Sequence, residues 1–107
     1  MLLVMNDHDP LDLHEQEDKR QAADDKSRSA QRTERDDILW LMSGKRGRRL
    51  VRRMLERAGV WRLSFSTNAL QMAFNEGMRN EGLAFTAKIM AHCPAQYAEM
   101  LMENQDD

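Results

Sequence analysis

The sequence has little with which to brace a fold or run a reaction. Cys93 is its only cysteine, so no internal disulfide can form and no cysteine cage for zinc exists. Two prolines and five glycines leave long stretches without helix breakers. Aromatic residues are 6% of the chain, and no apolar run approaches the ~20 residues of a membrane span. The start, Met1-Leu2-Leu3-Val4-Met5, has no basic flank and is too short for a signal peptide. No stretch alternates with period two, so no strand is expected. With 107 residues, one small domain is the most the length supports. These absences point to a soluble protein of a reducing compartment. No membrane contact of the free chain is expected either, because Leu50, Val51, Met54 and Leu55 are needed for the core.

What is abundant is charge, and it is segregated. Residues 1–37 carry a balance of −5, residues 38–62 one of +7, and residues 63–107 one of −4, within a total of −2. Such a pattern governs partner choice more than the total does. Three zones follow: an acidic polar arm over 1–36, a helical domain over 37–103 and an acidic tail over 104–107. From His14 to Asp37 the only apolar residues are Ala22, Ala23 and Ala30, so the arm has nothing to bury. Its residues still favour helix, with Glu15/Lys19 and Asp24/Arg28 at i,i+4 in the favourable order. The arm is therefore either frayed or a long solvated helix, and the apolar tip before it either suits a docking peptide or is an accident of composition.

The domain reads as all-α, a small bundle of about four helices. Asp36 and Asp37 suit the cap of a short helix over Ile38–Met42, ended by Ser43-Gly44. A second helix spans about Lys45–Ala58 with Gly59 just beyond it. A third is expected from Ser66, with Phe65 and Leu70 at hydrophobic-staple spacing, to about His92. Pro94 then opens a last helix through Glu103.

The second helix carries the candidate site. At 100° per residue from Arg48, Lys45, Arg46, Arg48, Arg49, Arg52, Arg53 and Arg57 occupy about 0–180°. Leu50, Val51, Met54, Leu55 and Ala58 occupy about 200–340°. One face is expected to pack inward and the other to meet an anion, either nucleic-acid phosphates or an acidic protein surface. The alternative is neutralisation by the acidic arm or simple solvation. On DNA, such a face implies phosphate contacts with steep salt dependence and little base reading. A helix-turn-helix fits poorly, because the connection after Ala58 is too long and the following helix holds only Arg79 and Lys88.

The third helix has two apolar stripes. One includes Leu70, Phe74, Met78 and Phe85; the other includes Met72, Leu83 and Met90. A thin core leaves the second stripe either for a second copy or another protein, or to be covered by the short first helix and the Pro94–Glu103 helix. Met72, Leu83, Met90, Met100 and Met102 are the expected oligomer or partner surface, while Met42, Met54 and Met78 are expected in the core. Glu81, within an apolar stripe, is expected to pair with Arg62 or Lys88.

No catalytic constellation is present, and no metal or cofactor is expected. His8 and His14 sit among acids without ligand spacing, and Gly44-Lys45-Arg46-Gly47 lacks the spacing of a phosphate loop. His92-Cys93 reads as a capping histidine beside a buried cysteine, since neighbours on a helix do not face one another.

Asp37-Ile38-Leu39-Trp40-Leu41-Met42-Ser43, then Lys45-Arg46-Gly47-Arg48-Arg49, resembles a family of short proteins of short-tailed bacteriophages, named after a Bordetella phage protein. The likeness continues through Leu55-Glu56-Arg57-Ala58-Gly59-Val60, Asn68-Ala69, Met72-Ala73-Phe74, Arg79-Asn80 and His92-Cys93-Pro94. Many members carry an aromatic residue where this chain has Arg52. The resemblance implies a phage setting and supplies no catalytic residues. With the polarised helix, it leads to an expected non-enzymatic virion or head-assembly protein, portal-proximal or among internal, ejected components. It would self-associate and contact other virion proteins, with non-specific DNA contact through the basic helix. The alternative is a non-virion DNA-binding accessory in genome packaging or regulation.

Overall fold

A computed structural model describes residues 10–103, with side chains from residue 12 onward. The expectations for Met1–Met5, His8 and residues 104–107 lie outside them. Four helices and no strand are found among the described residues: α1 Pro10–Ser43, α2 Lys45–Ala58, α3 Ala69–His92 and α4 Pro94–Met102. The fold is an all-α small bundle. No described helix is long and apolar enough to cross a membrane.

The chain divides into two units, residues 1–34 and 35–107. In the first, every described side chain from Asp12 to Glu34 is exposed, as a segment with almost nothing apolar must be. Glu17 pairs with Arg20, and the Thr33 hydroxyl donates to the Ser29 carbonyl at 3.0 Å. The expected short helix from Ile38 is instead the last part of α1. Asp36 and Asp37 lie inside the helix, because nothing between Pro10 and Gly44 stops the preceding residues from being helical.

The second unit holds the core. Ile38 and Met42 from the end of α1, Val51 and Leu55 from α2, and Ile89 from α3 are buried together with Val60, Cys93 and Met100. α2 packs on α3 and α4, and α3 on α4. Two glycines permit close approaches. A Cβ on Gly47 would lie 1.8 Å from the Leu41 carbonyl oxygen, so only glycine lets the first turn of α2 cross the last turn of α1. A Cβ on Gly82 would lie 2.6 Å from Val60 Cγ2, so α3 lies hard against the turn that follows α2. That turn is left-handed at Gly59 (φ 84°), whose N–H reaches the Leu55 and Glu56 carbonyls, closing α2 where expected.

α3 is capped two residues later than expected. Asn68 is its cap, with Oδ1 accepting from Gln71 N at 3.0 Å, while the Ser66 hydroxyl accepts from Asn68 N. Phe65 and Leu70 are 75% and 84% exposed, so the expected staple does not form. The interior face of α3 is Gly82, Thr86 and Ile89, at about 100–160° from Leu70, between the two anticipated stripes. Thr86 is accommodated there because its hydroxyl donates to the Gly82 carbonyl at 2.9 Å.

Candidate functional site

α2 is turned relative to its expected setting. Its buried residues are Arg48, Val51 and Leu55, an arc rotated by about 60° from the centre of the apolar face toward the arginines. Leu50 and Met54 are consequently exposed, and two arginines are drawn inward.

Arg48 is 7% exposed, which corrects its expected place on an outward face. Its Nε donates to Glu103 Oε1 at 2.8 Å and Nη2 to Oε2 at 3.2 Å, with Glu99 Oε1 3.4 Å from Nη2. Its Nη1 donates to the Met42 carbonyl at 3.0 Å. Arg52, half-buried, sends Nη1 to the carbonyls of Met100 (3.1 Å), Leu101 (3.3 Å) and Glu103. The last carbonyls of a helix have no partner within it, and a guanidinium offers five donors in a fixed fork. Arg48 thus serves the end of α1 and Arg52 the end of α4, each completing a helix terminus from the side. The hydrogen bond from Arg48 holds the Glu103 carboxyl below its ordinary pKa; burial opposes this, and Arg48, Lys45 and Arg49 add attraction. The same bond raises the Arg48 pKa, against the cost of burial.

The rest of the expected face is divided. Arg46, Arg53 and Arg57 are exposed on one side of α2, at about 140–180° from Arg48. Arg49 is half-buried, and Lys45, though exposed, has a partner within the chain. Two arginines outside the expected set join the far end. Arg62 Nη2 makes long contacts with the Glu56 and Arg57 carbonyls, at 3.4 and 3.5 Å. Arg79 Nε donates to the Arg62 carbonyl at 3.0 Å. Arg62, three residues past the helix-ending Gly59, carried the one sequence signal: a cation placed to meet the carbonyls of a helix C-terminus.

The expected contact surface separates similarly. Met72, Leu83, Met90 and Met102 are exposed. Met100 is core, because α4 docks on α2 and α3 and turns this residue into their contact. Met42 is buried and Met78 half-buried, but Met54 is 61% exposed as the rotation of α2 requires. Met54, Ala58, Met78, Gly82 and Phe85 line an apolar groove of about 340 Å³ between α2 and α3. Glu81 stands exposed at its edge rather than in a buried ion pair. Arg62 is turned instead to the end of α2. Cys93 is buried, its thiol pKa pushed up by burial, and His92 is exposed. No group of three His, Cys, Asp or Glu residues able to hold a metal occurs among the described residues.

A family model described as Bbp19-like phage protein matches residues 38–102, the helical unit from the end of α1 to the end of α4. No curated protein matches the chain. No solved structure matches it either.

Proposed function

This chain belongs to the family of Bbp19-like phage proteins, and from that membership we propose that it is a non-catalytic virion or head-assembly protein working through protein contacts. The observation that carries this reading is an inverted apolar distribution. Fifteen large apolar side chains are exposed among the described residues, against eight buried hydrophobic ones. Single exposed leucines are ordinary, but Leu63, Phe65, Leu70 and Phe74 fall close together in the chain, and a groove opens beside Met54. A surface of this kind is suited to being covered by a second copy or by another virion protein. The protein would be assembled in the host cytoplasm and end in the particle, near the portal or among the ejected components. Mass spectrometry of purified virions tests this: the protein is expected among the particle's components, and its absence overturns the reading. Phe74→Glu is expected to weaken self-association in sedimentation while leaving helicity unchanged.

Arg46, Arg53 and Arg57 favour a second reading, a DNA-binding accessory in packaging or regulation. With Arg48 and Arg52 committed inside the fold, the number of phosphate contacts available to α2 is reduced. Three contacts give a log–log salt slope of about −2.7, against about −6.3 for all seven basic residues. Between 50 and 200 mM salt that is about a 40-fold loss of affinity rather than several thousand-fold. A titration with duplex DNA across salt distinguishes these slopes, and no binding at low salt removes the second reading.

A further inference from the structure

We propose that the cavity between the end of α2, the connection that follows it and the middle of α3 binds a phosphate group. It has a volume of about 140 Å³ and is lined by Arg57, Arg62 and Arg79 with Ser64 and Asn75, and among the described residues no Asp or Glu lines it. Like charges brought together are costly unless something offsets them. Around Arg48 the chain supplies Glu103 and Glu99. Around this cavity it supplies backbone oxygens. Two of the guanidinium groups are fixed in advance: Arg62 Nη2 rests on the end of α2, and Arg79 Nε donates to the Arg62 carbonyl. Each anchor uses one nitrogen of a fork that has five N–H donors.

Completing the end of α2 accounts for Arg62 alone. It leaves Arg57 unaccounted for, and the bond to the Arg62 carbonyl uses only the Nε of Arg79; an oxyanion would engage both guanidinium groups. A tetrahedral phosphate presents several acceptors that guanidinium forks match in pairs, and the Ser64 hydroxyl can donate as well. At ~30 Å³ per water, the cavity holds about four or five waters, close to the five heavy atoms of phosphate. A nucleobase or sugar would have to remain outside. The phosphate therefore arrives either free or attached to a longer molecule. Arg53, one turn before Arg57, and Arg46 beyond it continue the positive charge away from the cavity, which suits a nucleic-acid backbone. This inference stands apart from the assembly reading.

The experiment follows arginine Nε–H resonances of the full chain during titration with inorganic phosphate, and separately with a short DNA duplex. Phosphate is expected to move Arg62 and Arg79 saturably. Arg57→Gln is expected to weaken the response about 10-fold, the loss of one charge-assisted hydrogen bond. Arg57 is exposed and outside the core, so this variant keeps its helicity even if Arg79→Gln loosens the fold. A duplex that moves the same resonances supports the site and identifies the source as nucleic acid. A response to inorganic phosphate alone supports it and identifies a small phosphate-bearing ligand. The proposal is overturned if neither probe moves these resonances. It is equally overturned if all arginines shift together without saturation, or if Arg57→Gln responds as the natural chain does.

Discussion

Replacing Arg48 with alanine separates a buried tie from a solvated charge. The guanidinium makes three short hydrogen bonds, two to Glu103 and one to the Met42 carbonyl, in a setting where its side chain is 9% exposed and that of Glu103 21%. Hydrogen bonds of this kind are each worth about 1 kcal/mol net, and more when a charge is involved. Removing one partner also strands the other, and breaking a buried pair costs about 3–5 kcal/mol. Because Glu103 keeps some access to water, about 3 kcal/mol is expected. In a domain of this size that corresponds to a fall in melting temperature of roughly 12–24 °C. Arg53→Ala, on the exposed side of the same helix, removes the same charge and is expected to change stability by less than about 0.5 kcal/mol. The assay is thermal and urea unfolding of both variants beside the natural chain, followed by circular dichroism. Similar midpoints for the two variants would refute the reasoning, since they would make Arg48 as peripheral as Arg53.

Two glycines in helices predict opposite signs. Gly47→Ala forces a Cβ onto the Leu41 carbonyl and should cost about 2 kcal/mol or more. Gly77→Ala meets nothing within 4 Å among the described residues and should stabilise by about 0.5–1 kcal/mol through helix propensity; urea midpoints check both. For pH, the Glu103 carboxyl titrates lower in the folded chain than in the unfolded one. Its contribution is therefore fully present above the ordinary glutamate value of about 4.3 and is lost as pH falls through the lower, folded value. Glu103→Gln should lower the unfolding midpoint at pH 7 and narrow the gap to the natural chain below about pH 4. An equal gap at both pH values would show that the carboxylate charge is not involved.

The extent of α2, the stop at Gly59 and the break at Cys93-Pro94 were legible in the sequence, because each depends on neighbours within a turn. The orientation of α2 was not. Periodicity says which residues share a face, but not which part of that face points at the other helices. Arg48 and Arg52 look outward on charge alone; they turn inward because the end of α4, about fifty positions later, brings a carboxylate and unpaired carbonyls to them. The same rotation carries Met54 out of the core to the surface. Met100 stands beside acidic residues in the chain, but what buries it lies on α2 and α3. Ser66 and Asn68 are both good caps, and α3 starts at the later one because the Asn68 side chain is the one that reaches Gln71 N. At the site, Arg62 and Arg79 belong to no run of charge, and only the turn after α2 and the helix α3 bring them together.

The buried Cys93 lies at the joint between α3 and α4, its N–H on the Ile89 carbonyl and its own carbonyl accepting from Tyr97 N. A thiol in that place is shielded for as long as α4 stays seated. Its rate of alkylation therefore clocks the unlatching of the last helix without any engineered label. The same clock, run on the protein within an assembly, would register whether neighbours hold that joint shut more firmly than the solitary chain does.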